Sequence, residues 1–455
     1  MKKLQSTVKG LWANHRVATL LGAAVALAAV GGVTAYLVLK RPADVSNPDA
    51  VFEAGDQEKG VIGLVNWPLY GLNEERTRYL PARGVKPPFR VKWRFNGRKL
   101  LEYSPIIVGG QLYGVNNNGE AFAVKTRNGK VRWREEIAAL NASSPAYGDG
   151  SLYIVNLEPG QIQALNAKNG VRRWRRALPG RSESSPVVVG KKVIAGCECG
   201  TLYAFDTRTG KTLWETDLGG QIKAAPAVSE GVAYVGDYSG TMSAVRISDG
   251  SVQWQSSSQG TGYGAGAFYG TAAVAFGRVY AGSKDGRVYS FEKESGDLAW
   301  SHTIGGEVYA GAVAADTPNT EPSVYFGLYG GSTFYSLDAR TGDENWSADA
   351  GGSVIGAASL VGETVYVANL DTTETYAFNA ANGERIWTFR DGAYNPVVSD
   401  GRRLYLTGYK SVYALKPGTP EKKKGGAKKK GAGKKAKAGG GKKGKGARKE
   451  NAPKS

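Results

Sequence analysis

Cysteine, histidine and methionine are nearly absent, at two residues each in a chain of 455. Cys197 and Cys199 are too few for a disulfide framework or a multi-cysteine zinc centre. His15 and His302 poorly supply a multi-histidine metal site or a histidine-centred triad. The central body also lacks any charge excess. The chain carries 59 Lys and Arg against 40 Asp and Glu, a formal net charge of +19. Residues 1–41 hold +6 of this and residues 421–455 hold +13, while residues 42–420 carry 38 charges of each sign. A neutral body argues against a globular nucleic-acid-binding domain, so nucleic acid is not the expected partner. Apolar residues make up 41% of the chain and aromatics 10%, enough for a packed core.

Only one long apolar run is present. Val17 to Leu39 spans 23 positions without a charge. A helix of that length reaches roughly 34 Å, enough to cross the hydrocarbon core of a bilayer. Lys2, Lys3, Lys9 and Arg16 precede it, and Lys40 and Arg41 follow. This bias favours a cytoplasmic segment over 1–16 and a single transmembrane helix over 17–39. A cleaved signal peptide is the competing reading, since Ala-x-Ala triplets occur at 24–26 and 26–28. The run outlasts an ordinary signal core, which favours the retained anchor. Either way the body is expected outside the cytoplasm.

What is abundant is repetition. Seven segments place a Gly four positions before a Trp: KTRNGKVRW, NAKNGVRRW, DTRTGKTLW, RISDGSVQW, EKESGDLAW, DARTGDENW and NAANGERIW. They end at Trp133, Trp174, Trp214, Trp254, Trp300, Trp346 and Trp387, and Trp93 precedes them without the upstream half. Successive spacings from Trp93 are 40, 41, 40, 40, 46, 46 and 41. Each period reads as four short strands with turn residues between them, the signature of antiparallel sheet. Four strands repeated radially make a propeller blade. The Trp is expected to wedge between neighbouring sheets, with one N–H to satisfy. The last period, 388–415, lacks its Trp strand, and the strand around Trp93 lacks a blade. Pairing the two closes an all-β, eight-bladed propeller over 66–416, with a linker over 40–65 and a tail over 417–455. Closure also hides the sheet edges.

The motif AxDxxTGxxxW, seen in AFDTRTGKTLW (204–214) and SLDARTGDENW (336–346), resembles the tryptophan-docking repeat of the pyrroloquinoline-quinone (PQQ)-like propeller family. The segment NWPLYGLNEERTRYL (66–80) is similar to the lead-in before the first blade of quinone dehydrogenases. The resemblance implies two functional branches. The dehydrogenase branch implies PQQ, a Ca²⁺ held by a Glu and an Asn, a catalytic Asp and usually an adjacent cysteine pair. The cysteines here are separated by Glu198, the blades are near minimal length, and the sequence assigns the calcium ligands and the catalytic Asp to no particular residues. The other branch, that of the outer-membrane assembly lipoprotein BamB, implies a protein-interaction scaffold without cofactor. This chain has no cysteine near its apolar run, so a lipid anchor is excluded.

In such a ring the residues leading into each first strand meet one mouth of the channel. There Glu102, Tyr103, Glu183, Lys223, Tyr263, Phe268, Tyr309 and Tyr394 are expected, a set suited to a small polar ligand or a peptide. The plainer reading is that these charges only solvate the opening. The two 46-residue periods hold extra loops at 260–270 and 314–323, where function usually collects. Cys197 and Cys199 are a candidate disulfide, read as a redox or metal site or as a local staple. Residues 90–181 carry 16 basic and six acidic residues, and the cluster RRWRRALPGR (172–181) is suited to an anionic lipid, wall polymer or acidic partner. The lysine-rich tail, 421–455, has no apolar periodicity and is expected to be disordered, contacting anionic envelope polymers or lipid headgroups, or simply solubilising. The leading expectation is a non-catalytic, membrane-anchored, extracytoplasmic scaffold. The alternative is a membrane-bound PQQ-dependent dehydrogenase of alcohols or sugars, with calcium.

Overall fold

The computed structural model describes residues 42–55, 60–261 and 265–418, together with Ala23, Ala26 and Leu27. The expectations for the segment 1–16, the anchor at 17–39 (three positions apart) and the tail at 421–455 lie outside the described residues. Among the described residues no helix is long and apolar enough to cross a membrane.

The alternation that defines each repeat folds as a blade. The first comprises Ile106–Val108, Gln111–Val115, Glu120–Lys125 and Val131–Glu136, each antiparallel to the next. The same four-strand order recurs from Ala146, Val187, Ala227, Ala273, Val313 and Ser359. The eighth blade takes Val397–Ser399, Leu404–Thr407 and Ser411–Pro417 from the end of the repeats and Phe89–Asn96 from their beginning. Phe89 pairs with Pro417 and Asn96 with Ser411, so distant parts of the chain latch the ring. The protein is an all-β, eight-bladed propeller.

The Gly–Trp pairing has a steric cause. In the third blade Ala204 pairs with Trp214 and Phe205 with Thr212, leaving Leu213 as a bulge residue that turns the indole inward. Every one of these indoles except that of Trp387 then lies against the next blade's glycine. At Gly210 the backbone is left-handed, with φ +67°, and a Cβ would stand 2.6 Å from the Trp174 ring. Any side chain there would collide, so the turn requires glycine twice over. The indole N–H donates across the same gap, from Trp174 to Thr207 O at 2.8 Å and from Trp93 to Thr126 O at 2.9 Å. Six of the seven repeated Trp residues and Trp93 make this bond. Trp387 instead meets Phe89, with ring centroids 5.3 Å apart, where the closing strand enters.

Two segments outside the repeats bind the ring. Part of the expected linker is held: Val45–Ser46 pairs with Ser301 and Trp300 on the outer strand of the fifth blade. The lead-in expected at 66–80, with flanking residues out to 61 and 82, fills the axial channel. Six first strands each donate the N–H of their middle residue to it: Ile107 to Trp67, Tyr147 to Pro68, Val228 to Glu74, Val274 to Glu75, Ala314 to Thr77 and Leu360 to Arg78. Val65 donates to Asp400 of the eighth blade. The third blade is reached by a side chain, since Arg76 Nη2 donates to Ser185 O and Pro186 O at 3.2 and 3.1 Å. Short first strands would otherwise face the axis with unpaired amides, at a cost comparable to a lost hydrogen bond each. The plug removes that cost and blocks the channel. Glycine 71 and left-handed Leu72, Arg76 and Arg78 bend it around the axis.

Candidate functional site at the channel mouth

The mouth face is where each first strand begins and where the turns between second and third strands lie. In five of the eight blades a polar side chain four residues before the first strand lines the mouth. Glu102, Glu183, Lys223, Tyr269 and Tyr309 occupy that position in the first, third, fourth, fifth and sixth blades. With Tyr103, Tyr394, Asn395 and the plug residue Tyr70 they line a cavity of ≈ 40 Å³.

Of the eight side chains expected here, six are brought together: Glu102, Tyr103, Glu183, Lys223, Tyr309 and Tyr394. Tyr263 lies outside the described residues. Phe268 is a correction. It stands five residues before its strand, the register at which Leu101, Ile222, Val308 and Val354 are buried between blades, and it is itself fully buried against Tyr289 and Phe291. The extra residues at 260–270 hid this one-residue offset, which exchanges an inward side chain for a mouth one. The neighbouring Tyr269 takes the mouth position. Sequence reasoning also missed Tyr70 and Asn395. Tyr70 Oη donates to Asn395 Oδ1 at 3.1 Å, and Asn395 Nδ2 donates to Glu102 O at 3.0 Å.

The charges are unequal in their partners. Lys223 Nζ lies 2.8 Å from Glu183 Oε1 and 3.8 Å from Glu198 Oε1. Tyr269 Oη donates to Glu183 Oε2 at 3.2 Å. Lys223 also sits 5.5 Å from the Tyr238 ring centre and 6.0 Å from that of Tyr269. Lys284 stands 5.3 Å over Tyr309. Glu102 has no such cation in contact. Burial, and then the Glu183 charge, push its carboxyl up to about 7, against a smaller opposing pull from Lys223. Burial also drives the Tyr103 hydroxyl well above its ordinary range.

Beneath the cavity Arg78 stacks on Tyr70 at 4.0 Å, and Arg76 is fully buried. Desolvation, followed by the Arg78 charge, pulls Arg76 down to about 9.

Cys197 and Cys199 are disulfide-bonded with Cα atoms 5.0 Å apart. The bridge lies in the turn of the third blade that carries Glu198, outside the cavity lining. Arg172, Arg173, Arg175 and Arg176 are exposed on the outer strand of the second blade, with Arg181 exposed just beyond it. No ion pair among the described residues involves them. The loop expected at 314–323 folds on the far face, where Thr317 and Thr320 share a hydrogen bond. A larger recess there, ≈ 790 Å³, runs between residues 79–87 and the seventh blade; none of the expected site residues lines it.

A family model described as outer membrane protein assembly factor BamB matches residues 90–211, 198–389 and 284–419. The chain belongs to that family. Among solved structures it is similar to BamB from Moraxella catarrhalis, at 17% identity and TM-score 0.59, covering 72% of this chain and 98% of that one. It is also similar to the quinohemoprotein alcohol dehydrogenase of Comamonas testosteroni, at 14% identity and TM-score 0.66, covering 77% and 80%. A europium-containing methanol dehydrogenase gives 14% identity and TM-score 0.65, covering 77% and 98%. At these identities the likenesses establish the fold. No curated protein matches the sequence.

The mouth also bears on the quinone and calcium of the dehydrogenases. A cavity of ≈ 40 Å³ takes about three waters. A tricyclic quinone is far larger. Among the described residues no three His, Cys, Asp or Glu side chains converge as a metal site. The closed part of the mouth, as arranged, has no room for the quinone, while a Glu and an Asn of the kind that would hold the calcium, Glu102 and Asn395, do line it.

Proposed function

We propose that this chain is a non-catalytic, membrane-anchored, extracytoplasmic propeller that scaffolds protein interactions in the cell envelope. The observation that carries the reading is the mouth cavity: it is water-sized, floored by the chain's own plug and walled by Tyr side chains. Tyrosine offers large contact area with a polar tip, which suits a protein surface better than a cofactor cleft. The family's description, an outer-membrane assembly factor, agrees with a scaffold. Anchoring rests on the apolar run 17–39, and contact with anionic envelope polymers or headgroups on the lysine-rich tail. The dehydrogenase alternative shares the fold, and the size of the mouth cavity weighs against it.

The test is photo-crosslinking in the native cell, with a photoreactive residue at Tyr309 or Tyr394 and, as reference, at Leu213 or Val252 on the outer wall. Discrete protein adducts at the mouth positions, in excess of the wall positions, are expected. Equal labelling at all four overturns the mouth as the contact surface.

A further inference from the structure

We infer that the channel mouth is a receptor for a primary ammonium group, the side-chain terminus of a lysine presented by a partner, with Glu102 as its counter-charge and tyrosine rings as its walls. The inference rests on the scaffold reading, because it takes the cavity as a contact point for a partner.

Three observations lead there. First, two carboxyls line the cavity and share one cation. Lys223 is committed to Glu183 at 2.8 Å, and Glu102 makes neither an ion pair nor a side-chain hydrogen bond. Second, tyrosine rings in and beside the lining already carry ammonium groups, Tyr269 and Tyr309 from the lining and Tyr238 just outside it. Lys223 stands over Tyr238 and Tyr269, and Lys284 over Tyr238 and Tyr309, all within 6.0 Å of the ring centres. Ring faces at that distance attract cations. The rings beside Glu102, those of Tyr103 and Tyr394, carry none. Third, the cavity of ≈ 40 Å³ matches an ammonium head with its last methylene, in place of about three waters.

The groups facing Glu102 are Tyr103 on its own segment, Glu183 of the third blade, Lys223 of the fourth, Tyr269 of the fifth, Tyr394 and Asn395 of the eighth, and Tyr70 of the plug. A bound cation favours the ionised carboxyl, so binding releases a proton from Glu102 to solvent. A carboxyl titrating near 7 is about one-eleventh ionised at pH 6 and ten-elevenths at pH 8, so affinity rises about tenfold over that range.

The experiment titrates N-acetyl-lysine N-methylamide, and its norleucine analogue lacking the charge, into the full chain and into the chain ended at Pro420, so that the tail's lysines cannot mask the site. Expected are preference for lysine over norleucine of at least tenfold and tighter binding at pH 8 than at pH 6. Glu102→Gln, checked for an unchanged melting profile, should lose both. Lys223→Met, which frees Glu183 as a second counter-charge, should keep or strengthen binding. Equal binding of the two probes, no binding to either chain, or affinity that falls with rising pH overturns the inference. A negative result with lysine leaves the scaffold reading standing; stoichiometric quinone binding would instead remove the reading on which the inference rests.

Discussion

Lys223 donates to Glu183 at 2.8 Å across the boundary between the third and fourth blades, and that single bond divides the mouth into a neutralised half and an open half. Glu102 occupies the open half. Changing Lys223 to methionine withdraws the one positive charge that opposes its upward shift. The Glu102 carboxyl should then titrate above 7, which carboxyl-carbon NMR of the variant would read. A Glu102 titration unchanged in Lys223→Met would mean the lysine does not set the local field.

The same carboxyl makes stability depend on pH. Its folded value of about 7 exceeds the ordinary 4.5, so the folded state holds the proton more tightly. The stabilisation from this group is complete below pH 4.5 and is lost as pH rises through 7. Between pH 5 and 8 the wild type should therefore lose on the order of 2–3 kcal/mol relative to Glu102→Gln, less to the extent that solvent screens this partly exposed group. Denaturant midpoints of both proteins across that range test the sign.

Arg76 holds the plug to the ring. It donates to Pro226 O at 3.0 Å, to Ser185 O and Pro186 O, and to Tyr70 O. Arg76→Met strands four buried carbonyls, and a loss of about 3 kcal/mol follows. Thermal unfolding measures it, and tyrosine fluorescence at the mouth should change with it, since Tyr70 is one of the four acceptors.

Two glycines separate sterics from backbone preference. Gly210→Ala puts a methyl 2.6 Å from the Trp174 ring and keeps φ at +67°. Gly190 has φ +55° with nothing within 4 Å of the new methyl. Alanine at 210 should cost more than about 2 kcal/mol, and at 190 about 1 kcal/mol. Equal costs would mean the indole is not packed on the glycine.

The ring was legible in the sequence because its determinants are local and repeated. A glycine and a tryptophan four positions apart recur at nearly constant spacing, and the missing Trp strand after residue 388 called for the orphan strand at Trp93. Mouth residues followed wherever the repeat length held, as for Glu183 and Lys223. In the lengthened fifth period an offset of one residue exchanged Tyr269 for Phe268. The plug was beyond reach for a different reason. Residues 61–82 have no repeat of their own, and their role comes from carbonyls meeting strands of the first, second and fourth to seventh blades. Arg76 and Arg78, buried at the ring's centre, made the segment harder to read, because arginine in a sequence points to the surface.

The central claim, that this propeller is a scaffold and not a quinone enzyme, is tested most directly by titrating the purified chain with PQQ in the presence of Ca²⁺. Bound quinone is read by absorbance after desalting, and dye-linked oxidation of alcohols and sugars is assayed on the same sample. The account predicts no stoichiometric quinone and no substrate-dependent dye reduction. One quinone retained per chain, with substrate-dependent turnover, would contradict it.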